Sequence, residues 1–165
     1  MNCPYAATET GTTYMQFYGN QYMAIQAPLS ETSNIVRIRF RIGQVYAVPV
    51  GIYGVVGAYN PTSANGNDRE LFLDRGRVCS RLYRNSSIEI ICSTWRYDDG
   101  QWHVVERSYG GSNGGYHRLR VDNESVVGSF TASDFTWKTG AAVGFAANTQ
   151  LFTGSIDYVM SGTAP

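Results

Sequence analysis

Lysine is nearly missing from this 165-residue chain: Lys138 stands alone beside twelve arginines, and the charged fraction is only 16 %. Formal net charge is zero, so no global field recruits nucleic acid or an anionic membrane surface. The longest apolar stretch is too short, and too interrupted by Gly and Pro, to cross a bilayer as a helix. Met1-Asn2-Cys3-Pro4 has neither a basic nor an apolar segment, so no signal peptide is visible. No convincing amphipathic helix can be found. Zinc, phosphate and dithiol signatures are missing too: there is no H-E-x-x-H, no Walker loop and no Cys-x-x-Cys.

What the chain does have is alternation. In NIVRIRFRI (34–42), Val36, Ile38, Phe40 and Ile42 fall on one face and Arg37, Arg39 and Arg41 on the other, one core and one wet. LFLDRGRVCSRLYR (71–84) is broken at Asp74-Arg75-Gly76-Arg77, and SRLYRNSSIEIICSTW (80–95) at Asn85-Ser86. Gly and Asn tolerate the positive φ of tight hairpins, so both breaks read as turns. QWHVVERSY (101–109) and YHRLRVDN (116–123) flank a glycine-rich tip at 110–115 and complete an antiparallel meander. Further strands are predicted over 13–19, 21–27, 45–60, 141–147 and 155–160. With 18 glycines, 13 % aromatics and 43 % hydrophobic residues, the chain reads as one all-β domain over 1–165, large enough for a two-layered core.

The cysteines sharpen this. If Asn85-Ser86 is a two-residue loop, Arg84 pairs with Ser87, and counting back in twos sets Cys79 opposite Cys92 at a non-hydrogen-bonded site. The α-carbon separation there, about 4.5 Å, is at the short end of what a disulfide accepts. The reading leaves open a bridge or two buried thiols in a reducing compartment. Cys3 is left over, free or linked to another chain. Asn85-Ser86-Ser87 and Asn123-Glu124-Ser125 are N-glycosylation triplets at predicted turns, a weak pointer to an extracellular setting.

The order NDRELFLDRGRV (67–78), DDGQWHVV (98–105) and LRVDNES (119–125) resembles the laminin G-like domain. MQFYGNQYMAI (15–25) and FTGSIDYV (152–159) are similar to the opening and closing runs of the wider concanavalin A-like group. The match covers roughly 13–160 and implies a jelly-roll sandwich of two antiparallel sheets. It departs at Asn123, which stands where the family has glycine in a left-handed turn, and in lacking the family's carboxyl-end disulfide. The resemblance further implies a module that binds glycans or cell-surface proteins through a rim loop, often with calcium. The calcium-bearing aspartate maps onto Asp68, whose carboxylate suits a hard cation. Strand direction predicts that Arg84 and the 110–115 tip return to the same rim, so Asn67, Arg84, Tyr109 and Tyr116 are the expected ligand residues. The family buries the tryptophan of D-G-Q-W-H, so Trp102 is expected in the core.

Other readings stay open. Tyr53, Tyr59, Tyr97 and Tyr116, in or near predicted loops, suit either sugar stacking or ordinary ring burial. The row Arg37-Arg39-Arg41, spaced at about 7 Å, suits either acidic polymers or ion pairs with Glu106 and Asp157. A glycoside hydrolase on this fold needs paired carboxylates, in the laminarinase type as E-x-D-x-x-E. Glu9, Glu31, Glu70, Glu89, Glu106 and Glu124 never form that pattern. His103 and His117 are read as structural rather than as parts of a Ser-His-Asp site. A structural or adhesive subunit that self-assembles is the remaining class, suited by exposed sheet edges and a spare Cys3.

Overall fold

The computed structural model describes residues 4–9, 11–25, 33–57, 69–84, 87–110, 116–131, 138–146, 150–162 and 164. Among these there is no helix, and the strands form two antiparallel sheets. In chain order they are β1 (Tyr5–Glu9), β2 (Thr12–Tyr18), β3 (Met23–Ile25), β4 (Asn34–Arg41), β5 (Val50–Gly57), β6 (Arg69–Asp74) and β7 (Arg77–Arg84). Then come β8 (Ser87–Arg96), β9 (Trp102–Tyr109), β10 (Tyr116–Val121), β11 (Glu124–Thr131), β12 (Lys138–Val143) and β13 (Thr153–Gly162). The first sheet has seven strands ordered β1-β2-β13-β4-β9-β10-β11, and the second has six ordered β3-β12-β5-β6-β7-β8. This is the expected jelly-roll sandwich.

Strand β4 shows why the layers hold. Val36, Ile38 and Phe40 are fully buried, while Arg37 is exposed and Arg39 and Arg41 are half-buried on the outer face. The inward set packs on Phe17, Leu71, Leu73, Val78, Val105 and Leu119 from both sheets. Burying one such aliphatic or aromatic side chain contributes about 1.5–3 kcal/mol, so this layer is the main source of cohesion.

Turn chemistry sets the registers. Arg75 and Gly76 both take positive φ (51° and 84°), the geometry of a two-residue hairpin between β6 and β7. At the β10–β11 turn the left-handed residue is Asp122 (φ 50°) rather than Asn123. The Asp122 carboxylate there accepts the Val104 N–H at 2.8 Å, a local bond that offsets the strain. Strand β5 starts only at Val50, later than the predicted 45, because Pro49 lacks the N–H a ladder needs. Strand β1 was not predicted: its Ala, Thr and Glu alternate weakly, and it lies at a sheet edge.

Cys79 pairs with Cys92 across β7 and β8, and the two form a disulfide with α-carbons 4.0 Å apart. With Phe72 and Ala146 they form a second, small apolar cluster. At the far side, the edge strands β8 and β11 are joined by two carboxylates. Glu124 of β11 accepts the N–H groups of Thr94 and Trp95, the latter at 3.3 Å, and Glu89 of β8 accepts the Ser129 N–H at 2.5 Å. Edge N–H groups that would otherwise template aggregation are thereby occupied.

Candidate functional site

Register decides which side chains are neighbours on the outer face of the seven-stranded sheet. One row across it runs Met160, Arg37, Glu106, Arg120, Ser125, and the next runs Gly162, Ile35, Ser108, Arg118, Val127. Toward the other end lie Tyr158, Arg39, Val104 and then Gln16, Ser155, Arg41, Trp102. A bulge between Ile156 and Tyr158 inserts Asp157 beside Arg39, and the two form an ion pair at 2.7 Å. Arg37 pairs with Glu106 at 3.2 Å and Arg41 with Glu9 at 2.6 Å, so the arginine row of β4 is neutralised residue by residue.

Trp102 belongs to this face and not to the core. Its neighbour His103 points inward, and strict alternation turns Trp102 out, where it is half-buried. The guanidinium carbons of Arg39 and Arg41 each lie 4.8 Å from its ring centroid, and Tyr14 meets it edge-on at 5.5 Å. Stacked arginines, not burial in the core, cover the ring.

Clefts furrow this face along its length. One of about 370 Å³ is lined by Gln16, Arg41, Gln44 and Ser155, and an adjoining one of about 260 Å³ by Glu9, Tyr14, Arg39 and Trp102. Beyond Val104, about 430 Å³ opens between Arg37, Tyr158, Arg120 and Asp122, and about 330 Å³ between Ser108, Arg118, Arg120, Asn123 and Ser125. Hydroxyls, amides, guanidinium forks and aromatic rings alternate over it, the mixture that a polyhydroxylated ligand demands.

Two imidazoles and a guanidinium are buried behind the face. His117 is fully buried between Ser80 (Nε2 to Oγ 2.7 Å) and Glu89 (Nδ1 to Oε2 3.0 Å). Hydrolases use this order of groups, but Ser80 also has no exposed surface and the relay crosses from sheet to sheet as a structural tie. His103 sits between Asp99 (2.9 Å) and Asp122 (2.8 Å). The bond from His103, helped by the Gln101 N–H, holds the Asp99 carboxyl below its ordinary value. Arg107 is 1 % exposed, bonds Asn34 Oδ1 at 3.0 Å and lies near the rings of Tyr109 and Tyr53.

Of the expected rim residues, the ends of β7 and β9 and the start of β10 bring the backbones of Arg84, Tyr109 and Tyr116 to one end of the sandwich. Tyr116 is exposed at 47 %, whereas Tyr109 is 2 % exposed with its ring turned to Arg107. Asn67, Asp68 and Tyr59 lie outside the described residues. Tyr53 and Tyr97 are buried, so neither offers a stacking surface. Among the described residues no group of three His, Cys, Asp or Glu is placed to hold a metal ion. The sequence reading missed Arg118, Arg120 and Ser108 as face residues, although the alternation of YHRLRV carried the signal for the arginines.

No protein-family model and no curated protein matches the sequence. Solved structures do resemble it. The LG4-5 domains of the mouse laminin alpha1 chain superpose with a TM-score of 0.65 at 16 % identity, covering 86 % of this chain and 38 % of that one. Domain 4 of an extracellular arabinanase from Geobacillus stearothermophilus, solved with arabinotriose, gives 0.61 at 14 % identity, covering 94 % and 73 %. The enzymatically active domain of tailspike protein 2 from bacteriophage CBA120 gives 0.66 at 11 % identity, covering 97 % and 27 %. The chain therefore has the laminin G-like fold and spans little more than a third of the laminin chain it resembles. Fold alone does not decide function, so the choice between binding and catalysis rests on the site.

Proposed function

We propose that this chain is a non-catalytic binding module that lays a glycan across the outer face of its seven-stranded sheet, in an extracellular or surface-associated setting. The observation that carries the reading is the run of clefts along that face, lined by arginine, tyrosine, tryptophan, amide and hydroxyl groups. The carboxylates of β1, β9 and β13 on that face, Glu9, Glu106 and Asp157, are each held by an arginine, which suits binding better than an acid–base pair. The disulfide supports an oxidising compartment. Calcium at Asp68 would be an accessory at the rim.

A glycan array probed with and without chelator tests the reading, together with Val104→Lys, which raises a long side chain in the middle of the face. Binding that V104K removes is expected. Silence across neutral and acidic glycans, or binding that V104K leaves unchanged, would overturn the face as the site. A second reading, self-assembly or a protein partner, is favoured by Ile88 and Ile90, 47 % and 52 % exposed on the edge strand β8. Sizing at several concentrations with and without reductant tests it, and a concentration-independent monomer would rule out self-assembly.

A further inference from the structure

Five arginines stand on the outer face of the seven-stranded sheet, and they are not equivalent. Arg37, Arg39 and Arg41 each meet a carboxylate. Arg118 and Arg120, at alternate positions of β10, form no ion pair among the described residues. Arg120 gives its Nε to the Asp122 carbonyl at 3.0 Å, and Arg118 Nε is covered yet meets no acceptor among the described residues. Both line the same cleft of about 330 Å³ with Ser108, Asn123 and Ser125. Glu106 also borders it, but Arg37 holds that carboxylate at 3.2 Å, so the cleft keeps an excess of positive charge.

Resting on the glycan-binding reading, we propose that this cleft is an oxyanion subsite that receives the carboxylate or sulfate of an acidic sugar. Two arginines whose α-carbons stand about 7 Å apart on one strand line one small cleft, and their planar forks suit carboxylate and sulfate oxygens in pairs. A covered Nε without an acceptor is an unfavourable state that an incoming oxygen relieves. Ser108, Ser125 and Asn123 are placed to take the sugar hydroxyls beside the acid. The arginine comb of β4, by contrast, is already satisfied, so the anion subsite falls on β10.

The test titrates the protein with three oligosaccharide sets of matched length: neutral, uronate-containing and sulfated. Wild type is compared with Arg118→Gln/Arg120→Gln and with Arg75→Gln/Arg77→Gln, an equal charge change at the β6–β7 hairpin. The expected result is acidic binding at least tenfold tighter than neutral, weakening with salt. It should fall at least tenfold in R118Q/R120Q and hold in R75Q/R77Q, the tighter of the two acidic arms naming the anion. Equal affinity for acidic and neutral sets, or full acidic binding by R118Q/R120Q, overturns the subsite while leaving the glycan reading intact. No binding to any set overturns both. Should the double variant fail to fold, arginine Nε–Hε NMR signals of the wild type decide: two signals assigned to Arg118 and Arg120 must move with the acidic ligand, and signals that stay still overturn the proposal.

Discussion

Glu89 lies directly over Gly128, so close that a β-carbon at position 128 would occupy the space of its carboxylate. That carboxylate serves His117 Nδ1 at 3.0 Å, the Ser129 N–H at 2.5 Å and the Ser129 hydroxyl at 2.9 Å. Gly128→Ala should therefore displace Glu89 and leave the fully buried His117 short of a partner. A loss of about 2 kcal/mol is expected, the scale of an unsatisfied buried polar group. Urea unfolding measures it, and a G128A midpoint equal to wild type would show that the contact is not rigid.

The second carboxylate of the edge junction gives a pH dependence. Burial pushes the Glu124 carboxyl up, but bonds from Thr94, Tyr97 and Trp95 outweigh it and leave the group below its ordinary 4.5. A folded-state value lowered beneath the unfolded one contributes stability above the unfolded value and loses it as pH falls through the folded one. Wild type should accordingly lose stability on acidification below about 4.5. Glu124→Gln should be less stable at pH 7 and fall less steeply on acidification. Parallel pH profiles for the two proteins would refute this assignment.

Much of this architecture could be read before any coordinates. The alternation of NIVRIRFRI fixed both faces of β4, and counting back from a two-residue loop set Cys79 opposite Cys92, as found. Local rules failed where the determining contact was distant. The Ser80–His117–Glu89 tie joins residues 37 and 28 positions apart across the sandwich, which no periodicity encodes. Trp102 was misplaced for another reason: a family expectation overrode the parity that His103 and Val105 set in the same strand. The bulge that brings Asp157 to Arg39 has no signature in SIDYVM, so the ion pair was legible only as a pairing of available charges.

The disulfide closes a short loop of 13 residues, for which the chain-entropy model gives about 3 kcal/mol. Cys79→Ala/Cys92→Ala should lose about that much, less whatever the small cluster with Phe72 and Ala146 regains by repacking. Cys79 has no exposed surface and Cys92 is only partly buried, so reductant can reach the bridge at the Cys92 sulfur alone, and reduction should be much slower in the folded protein than in urea. Urea unfolding of the double variant measures the loss, and mass spectrometry of wild type after thiol alkylation, with and without urea, checks the protection of the bridge. Ready alkylation of Cys79 under native conditions would mean that the strands around it open far more easily than this packing allows.

Arg107 gives the last test, because its burial is costly on its face. Among the described residues it bonds Asn34, while Nε and Nη1 meet no acceptor, and the rings of Tyr109 and Tyr53 lie 5.1 and 5.9 Å from the guanidinium carbon. Cation–π contact contributes about 0.5–2 kcal/mol, less than the several kcal/mol that withdrawing a cation from water costs. Methionine fills a similar volume without a charge, so Arg107→Met should equal or exceed wild type in stability. Arg107→Ala, which opens a cavity, should lose about 3 kcal/mol. Urea titrations of both variants decide between packing and charge. If R107M falls as far as R107A, the charge itself is needed inside the sandwich, and the tyrosine cage is a cation site in its own right.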